Sequence, residues 1–460
     1  MSNTRPTLTA GRALALALAV VATLLALAHD ASAAWNQFRG NAARTALARW
    51  TAETPPEGRI AWRQGIGSNA MLDASPVIGP TGMIYLGVRQ GNNRLVGIHP
   101  GGFQRFGVPA GGFDVEHTPA VRADGHVIVP GTNEGAARVF AHDGTTGQRF
   151  AWSDASKPAF RTSPLLARDR PYIPWRDNQF MGFDSRLRRI EMGGVARPPV
   201  TGHGPSYLDL CFICVDFDTS APGPSGPTAP APRPTQQMRP APAYSSQCND
   251  MVAGPFYGKM IRVHPRGDKL WEKKIDSITT PTLGQAGRMY VVNRDRELQA
   301  YGQGGNRLWS RDIGFAPVGG LALSDLPIND GRGQVGTAAC LRKVGRSTTV
   351  VHDPRRAVDT LYATAADGHL YSFDGTGRLR WKERLGTGIP GAPAIVRARS
   401  QYSGAELEQI VVGIGNELQA WQPNGSPIWR VTLDGPVGGT PAVAGDTIYA
   451  ATRHSLYAIR

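Results

Sequence analysis

The chain has little of what usually narrows a function. It has four cysteines in 460 residues and no adjacent pair of them. After residue 28 no apolar run approaches the roughly 20 residues that a spanning helix needs. Helical periodicity is missing beyond the first thirty residues, which removes the α and α/β classes. Gly-x-Ser-x-Gly, His-Glu-x-x-His, a phosphate loop and a calcium-hand loop are all absent, so none of those hydrolytic, nucleotide or calcium sites is written in the chain. "GIGNELQAW", from Gly413, opens with glycines but runs into a strand, so it fails as a dinucleotide loop. Acidic residues are also short, 36 against 50 basic ones.

What is present begins with a leader. Arg5 and Arg12 precede an apolar run from Ala13 to Ala28, and small residues follow at Ala31 to Ala33. That order predicts a signal peptide over residues 1–33, cleaved between Ala33 and Ala34. The run is too short for an anchor, and no cysteine follows it that could take a lipid. The expected location is periplasmic or secreted, with no transmembrane span in the mature chain. The formal charge of +14 becomes +13 once the leader is removed. Its basic residues are scattered arginines rather than a dense tract, which argues against nucleic acid and for attraction to an anionic surface.

A unit recurs through the remainder. It opens with Ser/Thr-Pro and small apolar residues, as in "SPVI" (Ser75), "TPAV" (Thr118), "SPLL" (Ser163), "TPTL" (Thr280), "APAI" (Ala392) and "TPAV" (Thr440). It closes on Gly-x-x-x-Trp or Phe, with one extra residue between Gly147 and Trp152. Those aromatics are Trp62, Phe106, Trp152, Trp271, Trp309, Trp381 and Trp429. Intervals of 44, 46, 38 and 48 residues separate 62/106, 106/152, 271/309 and 381/429. A period near forty, short alternating strands and Gly-rich turns predict four-stranded propeller blades.

Two intervals are longer and are expected to hold insertions at about 205–256 and about 321–358. The first includes 8 prolines in the 23 residues from Ala221 to Ala243, which cannot supply a strand ladder. The second is polar and turn-rich over most of its length. Eight units result. The last, ending "SLYAIR", lacks an outer strand, and "EGRIAW" (Glu57 to Trp62) is an outer strand with no blade before it. The two are expected to pair, so that an N-terminal strand completes the C-terminal blade and closes the ring. The fold class read from this is all-β: one eight-bladed β-propeller over residues 34–460, built of four-stranded antiparallel blades.

The "TPAV" openings, the "DGTGRLRW" and "NGSPIW" endings and the start "WNQFRGNAARTA" (Trp35 to Ala46) resemble the quinoprotein-like β-propellers, the pyrroloquinoline-quinone-like repeat proteins. In size and blade count the chain is similar to the BamB-type propellers of outer-membrane assembly. The resemblance implies a non-catalytic envelope scaffold with a protein partner. The alternatives are a quinone- and calcium-dependent alcohol or sugar oxidoreductase, or an envelope carbohydrate-binding module. Many alcohol-oxidising members carry an adjacent cysteine pair over the quinone, which this chain lacks, so the expected cofactor is none.

His99, His142 and His264 overlay Asp184 and Asp374 on the repeat, so they are read as turn residues bonding local backbone rather than as a catalytic set. Cys211 and Cys214 lie in a strand-like stretch, about 10 Å apart at strand rise and too far for a mutual bridge. One of them is expected to pair with Cys248, with Cys340 the remaining disulfide candidate. Val215 stands where haem attachment needs a histidine, and a zinc site lacks a second ligand pair. Asp209, Asp216 and Asp218 read as a solvated acidic face. The aromatic series is assigned to blade packing, and no catalytic or metal residue is assigned.

Overall fold

The computed structural model describes residues 35–460 apart from 195–240 and the short stretches 68–73, 90–93, 111–112, 116, 134–135, 154–161, 175–178, 184–188, 247, 257, 266, 285–286, 327–333, 345–346 and 401–402. The described residues contain no helix. They form eight four-stranded antiparallel blades arranged as a β-propeller. Blades 1 to 7 occupy residues 77–108, 120–152, 165–194, 243–274, 282–312, 322–384 and 394–432. Blade 8 takes its first three strands from 437–459 and its outer strand from Ile60–Gly65. That strand runs antiparallel to Ser455–Ile459, in register from Ile60↔Ile459 to Gly65↔Ser455. Blade 8 therefore joins an early strand to the last three described, through the pairing expected between "EGRIAW" and "SLYAIR".

Second and third strands such as Ile84–Gly87 and Leu95–Ile98 are buried along their whole length, because other strands cover both their edges and other blades both their faces. Outer strands alternate exposed and half-buried, as in Pro427–Thr432. The tyrosine of a second strand packs on the outer-strand aromatic of its own blade, with ring centroids 5.9 to 6.3 Å apart in Trp62–Tyr449, Tyr85–Phe106, Tyr290–Trp309 and Tyr362–Trp381.

The Gly-to-aromatic marker has a physical basis between blades. The glycine turns the chain at positive φ in the next blade, and the aromatic of the previous blade lies flat against it. A Cβ at Gly102 would sit 2.7 Å from the Trp62 ring, at Gly377 2.6 Å from Trp309, and at Gly58 2.7 Å from Trp429. The indoles also reach across: Trp62, Trp271 and Trp381 donate Nε1–H to the carbonyls of Pro100, Gln303 and Pro423 at 2.9, 2.6 and 2.8 Å. At the other end of the blades the Ser/Thr of the opening marker links neighbours. Thr440 N–H donates to Ser75 Oγ at 2.9 Å, Ser75 N–H to Thr118 Oγ1 at 3.2 Å, and Ala241 N–H to Thr280 Oγ1 at 3.1 Å.

Both long intervals hold a single blade with an insertion, but the bounds differ from those expected. Ala243–Ser245 and Asp250–Phe256 are the first two strands of blade 4, so the earlier insertion ends before them. The later insertion begins after Ser324 and is not mainly turns. Gln334–Val344 and Ser347–Val358 pair as a separate two-stranded ribbon, in register from Gln334↔Val358 to Val344↔Ser347. This ribbon joins the first and second strands of blade 6, whereas residues 195–242 join the outer strand of blade 3 to the first strand of blade 4. In an antiparallel blade those connections leave from opposite ends of the strands, and so from opposite faces of the disc.

Candidate functional site on the propeller axis

The first strand of each blade is an edge, with backbone groups facing the axis that need partners. The segment from Trp35 to Ala46 supplies them. In blades 1 to 7 the fourth residue of the opening marker, or its equivalent in the stretches 241–244 of blade 4 and 320–323 of blade 6, donates its N–H inward, blade by blade in order. Ile78 donates to Trp35 O (2.9 Å), Val121 to Asn36 O (2.7 Å), Tyr244 to Ala42 O (2.7 Å), Leu283 to Ala43 O (3.0 Å), Leu323 to Thr45 O (2.9 Å) and Ile395 to Ala46 O (2.7 Å). Blade 3 is reached by a side chain instead, with Leu166 N–H donating to Gln37 Oε1 at 2.9 Å. The segment then continues as the strand Leu47–Arg49, parallel to Ala394–Arg399 of blade 7, and Thr51 N–H donates to Gly445 O of blade 8 at 2.9 Å. The chain thus threads its own axis.

Two arginines of this segment, Arg39 and Arg44, are fully buried. Their guanidiniums take carbonyls from the second position of the same markers. Arg44 donates to Pro164 O (3.0 Å) in blade 3, to Pro242 O (2.9 Å) in blade 4 and to Phe38 O (2.6 Å). Arg39 donates to Leu321 O in blade 6 and to Gly319 O at 2.9 Å. Burial pushes both down to about 9, and the charge of Arg39 adds to the effect at Arg44. Arg39, Arg44 and Ala46 all adopt the left-handed conformation, at φ 58, 62 and 54, which costs free energy that the surrounding hydrogen bonds offset. Gly40, at φ +79, is where the chain turns over the buried Trp35 ring; a Cβ there would lie 2.8 Å from it.

A second buried polar cluster stands at the root of the blade 6 ribbon. On one side Asp325 accepts from Arg397 at 2.5 Å, and Arg397 also donates to Glu408 (2.7 Å), which accepts from Ser324 (2.7 Å). On the other side Asp359 accepts from Tyr290 Oη–H of blade 5 at 2.6 Å. Burial raises Asp359 to about 6, against the opposing pull of that hydrogen bond and of Arg288; Asp325 adds a smaller upward push. Burial also raises Glu408 and Tyr290. The two ends of the insertion are therefore tied to different neighbouring blades.

The residues singled out in the sequence do not converge. His99 accepts from Gly101 N–H at 3.0 Å and stacks on Phe103, His142 Nδ1 lies 2.9 Å from Gly147 O, and His264 Nδ1 lies 2.9 Å from Asn249 O. They sit in blades 1, 2 and 4, and the equivalent Asp374 accepts from Thr376 and Arg378 N–H in blade 6. Burial lowers His142. Cys248 is buried in blade 4, where Gln303 Nε2–H donates to its Sγ at 3.0 Å, and no described cysteine is free. Cys340 lies on the ribbon opposite Val351. Asp184, Cys211, Cys214, Asp209, Asp216, Asp218 and the cleavage pair Ala33 and Ala34 lie outside the described residues. Among the described residues no group of three or more His, Cys, Asp or Glu is placed to hold a metal ion. The axial segment was missed by reasoning from repeats. Its signal was a stretch before the first unit that matches no unit yet carries Trp35, Arg39 and Arg44.

This arrangement defines an eight-bladed β-propeller whose axis is threaded by the segment from Trp35 to Ala46. Residues 403–459 match the family described as "Outer membrane protein assembly factor BamB". Among solved structures the chain is similar to BamB from Moraxella catarrhalis, at 11% identity and a TM-score of 0.52, covering 87% of this chain and 99% of that one. It is also similar to the quinohemoprotein alcohol dehydrogenase ADHIIG from Pseudomonas putida HK5, at 12% identity and a TM-score of 0.57, covering 94% of this chain and 81% of that one. At these identities the likenesses show the fold. No curated protein matches the sequence.

Proposed function

We propose that the protein is an exported cell-envelope propeller that acts as a non-catalytic scaffold for other proteins, in the manner suggested by its likeness to BamB. The observation that carries this reading is the occupied axis. A flat cofactor centred there would need an open pocket and a few polar groups free to hold it. The segment from Trp35 to Ala46 fills that position; Arg44 donates through all three of its nitrogens and Arg39 through two to main-chain carbonyls, with the buried Arg39 Nε alone lacking a partner. Binding is then left to the faces and to the insertions of blade 6 and of residues 195–242. Export after cleavage between Ala33 and Ala34, and a bridge from Cys211 or Cys214 to Cys248, belong to the same proposal. No helix among the described residues is long and apolar enough to cross a membrane.

The test is to purify the protein from the envelope of its own cells, cross-linked and untreated. A reproducible protein partner and a native mass equal to the polypeptide alone are expected. A bound quinone seen by absorbance, with dye-linked alcohol oxidation, would replace this reading with the oxidoreductase one.

A further inference from the structure

Charge in this propeller is sorted by radius. The first, second and third strands of the eight blades together carry six Lys/Arg and six Asp/Glu, whereas the eight outer strands carry thirteen and four. The excess is densest on three consecutive blades, whose outer strands are Lys269–Lys274, Arg307–Asp312 and Leu379–Arg384. These blades are neighbours, since Trp271 packs on Gly305 and Trp309 on Gly377. Lys273, Lys274, Arg307, Arg311, Lys382 and Arg384 are exposed along this arc. Of its three acids, Glu272 is already paired with Lys259 and Lys269 at 2.9 and 2.8 Å. Leu308 and Leu379 stand exposed between the cations, at 42% and 51%.

Edge strands often carry charge, Lys above all, simply to repel other strands, but that purpose would spread it over every blade, and here eight of the thirteen basic residues stand on three adjacent ones. One-sided charge over three blades instead makes a continuous positive field. We infer that the outer rim of blades 4 to 6 docks on the anionic face of a lipid leaflet, with its cations on phosphate headgroups and Leu308 and Leu379 entering the interface. A diffuse planar partner fits better than an acidic strand. The outer strands are short and rich in Lys and Arg, which disfavours strand addition, while side chains spread over three blades can meet a plane together. The rim does not depend on which protein the scaffold holds, so a negative result here leaves the proposed function standing.

The experiment is flotation of the full mature chain with vesicles of phosphatidylcholine alone or mixed equally with phosphatidylglycerol. Binding is expected only to the mixture and is expected to fall with salt. The triple variant Lys273→Gln, Lys274→Gln, Lys382→Gln should lose about a hundredfold in affinity, from about 1 kcal/mol per cation near such a surface. Arg63→Gln, Arg105→Gln, Arg149→Gln, which removes the same charge from blades 8, 1 and 2, should lose less than about fivefold. Circular dichroism confirms that both variants fold. Equal losses in the two triples, binding to phosphatidylcholine alone, or full binding by the first triple would each overturn the proposal.

Discussion

At the scale of single residues the least typical choice is to bury two cations among backbone carbonyls. A guanidinium can do this because its planar fork reaches several acceptors at once, and Arg44 uses three nitrogens on three carbonyls. Arg44→Lys keeps the charge but offers one compact ammonium and strands the carbonyls of Pro164 or Pro242. A loss of about 2 to 4 kcal/mol is expected for Arg44→Lys in denaturant titration, because buried groups left unpaired bear their full desolvation cost. Asp359 makes a second case. Its carboxyl is about 6 in the folded protein against 3.8 ordinarily, so the folded state holds the proton more tightly. Stability should therefore rise as pH falls from about 6 toward 4, and be lost on the way back up. Asp359→Asn keeps an acceptor for Tyr290 and removes that slope. It should gain on the order of 2 kcal/mol near pH 7, less what is lost with Arg288, while Glu408 keeps a slope of the same sign. Denaturant titrations of both proteins across that pH range measure it. None of this was legible in the sequence. Arg39 and Arg44 looked like two more scattered arginines, because their acceptors are main-chain atoms between 120 and 282 residues away or in an unremarkable neighbour, Phe38.

At the scale of elements, the blade was legible because its two markers recur and each mediates a contact between successive copies. The opening Ser/Thr gives a link to the next blade, and the closing glycine gives a seat for the previous aromatic. A test separates the seat from the turn. Gly102 and Gly125 have nearly the same conformation, φ +87 and +86, but a Cβ would meet Trp62 at 2.7 Å in the first and nothing within 4 Å in the second. Both alanine variants bear the cost of a left-handed residue, about 1 kcal/mol. Gly102→Ala should bear roughly 1 to 3 kcal/mol more for overpacking, read as the difference between their melting curves. The ribbon of blade 6 was misread for a physical reason. Polar, Gly-containing sequence reads as turns, yet two such strands satisfy each other's backbone over eleven or twelve residues. Cys211 and Cys214, with the strand expected there, lie outside the described residues.

At the scale of the whole molecule, eight radial edges converge on one axis and must be satisfied together. The segment from Trp35 to Ala46 does so in chain order, from blade 1 to blade 7, before handing the chain to the outer strand of blade 8. Repeat logic could find the blades and the shared last blade, but not this segment, because it occurs once and its register is set by seven other pieces of chain. It turns a stack of similar sheets into a unit whose centre is fixed by one peptide. Hydrogen exchange on the intact protein tests this most directly. Amides of Gly40, Asn41, Arg44 and Ala46, and those of Ile78, Val121, Leu166, Tyr244, Leu283, Leu323 and Ile395, should exchange slowly and open together, since each is bonded at the axis. Exchange of residues 35–46 at the rate of free chain, with the blade amides still protected, would contradict the threaded axis.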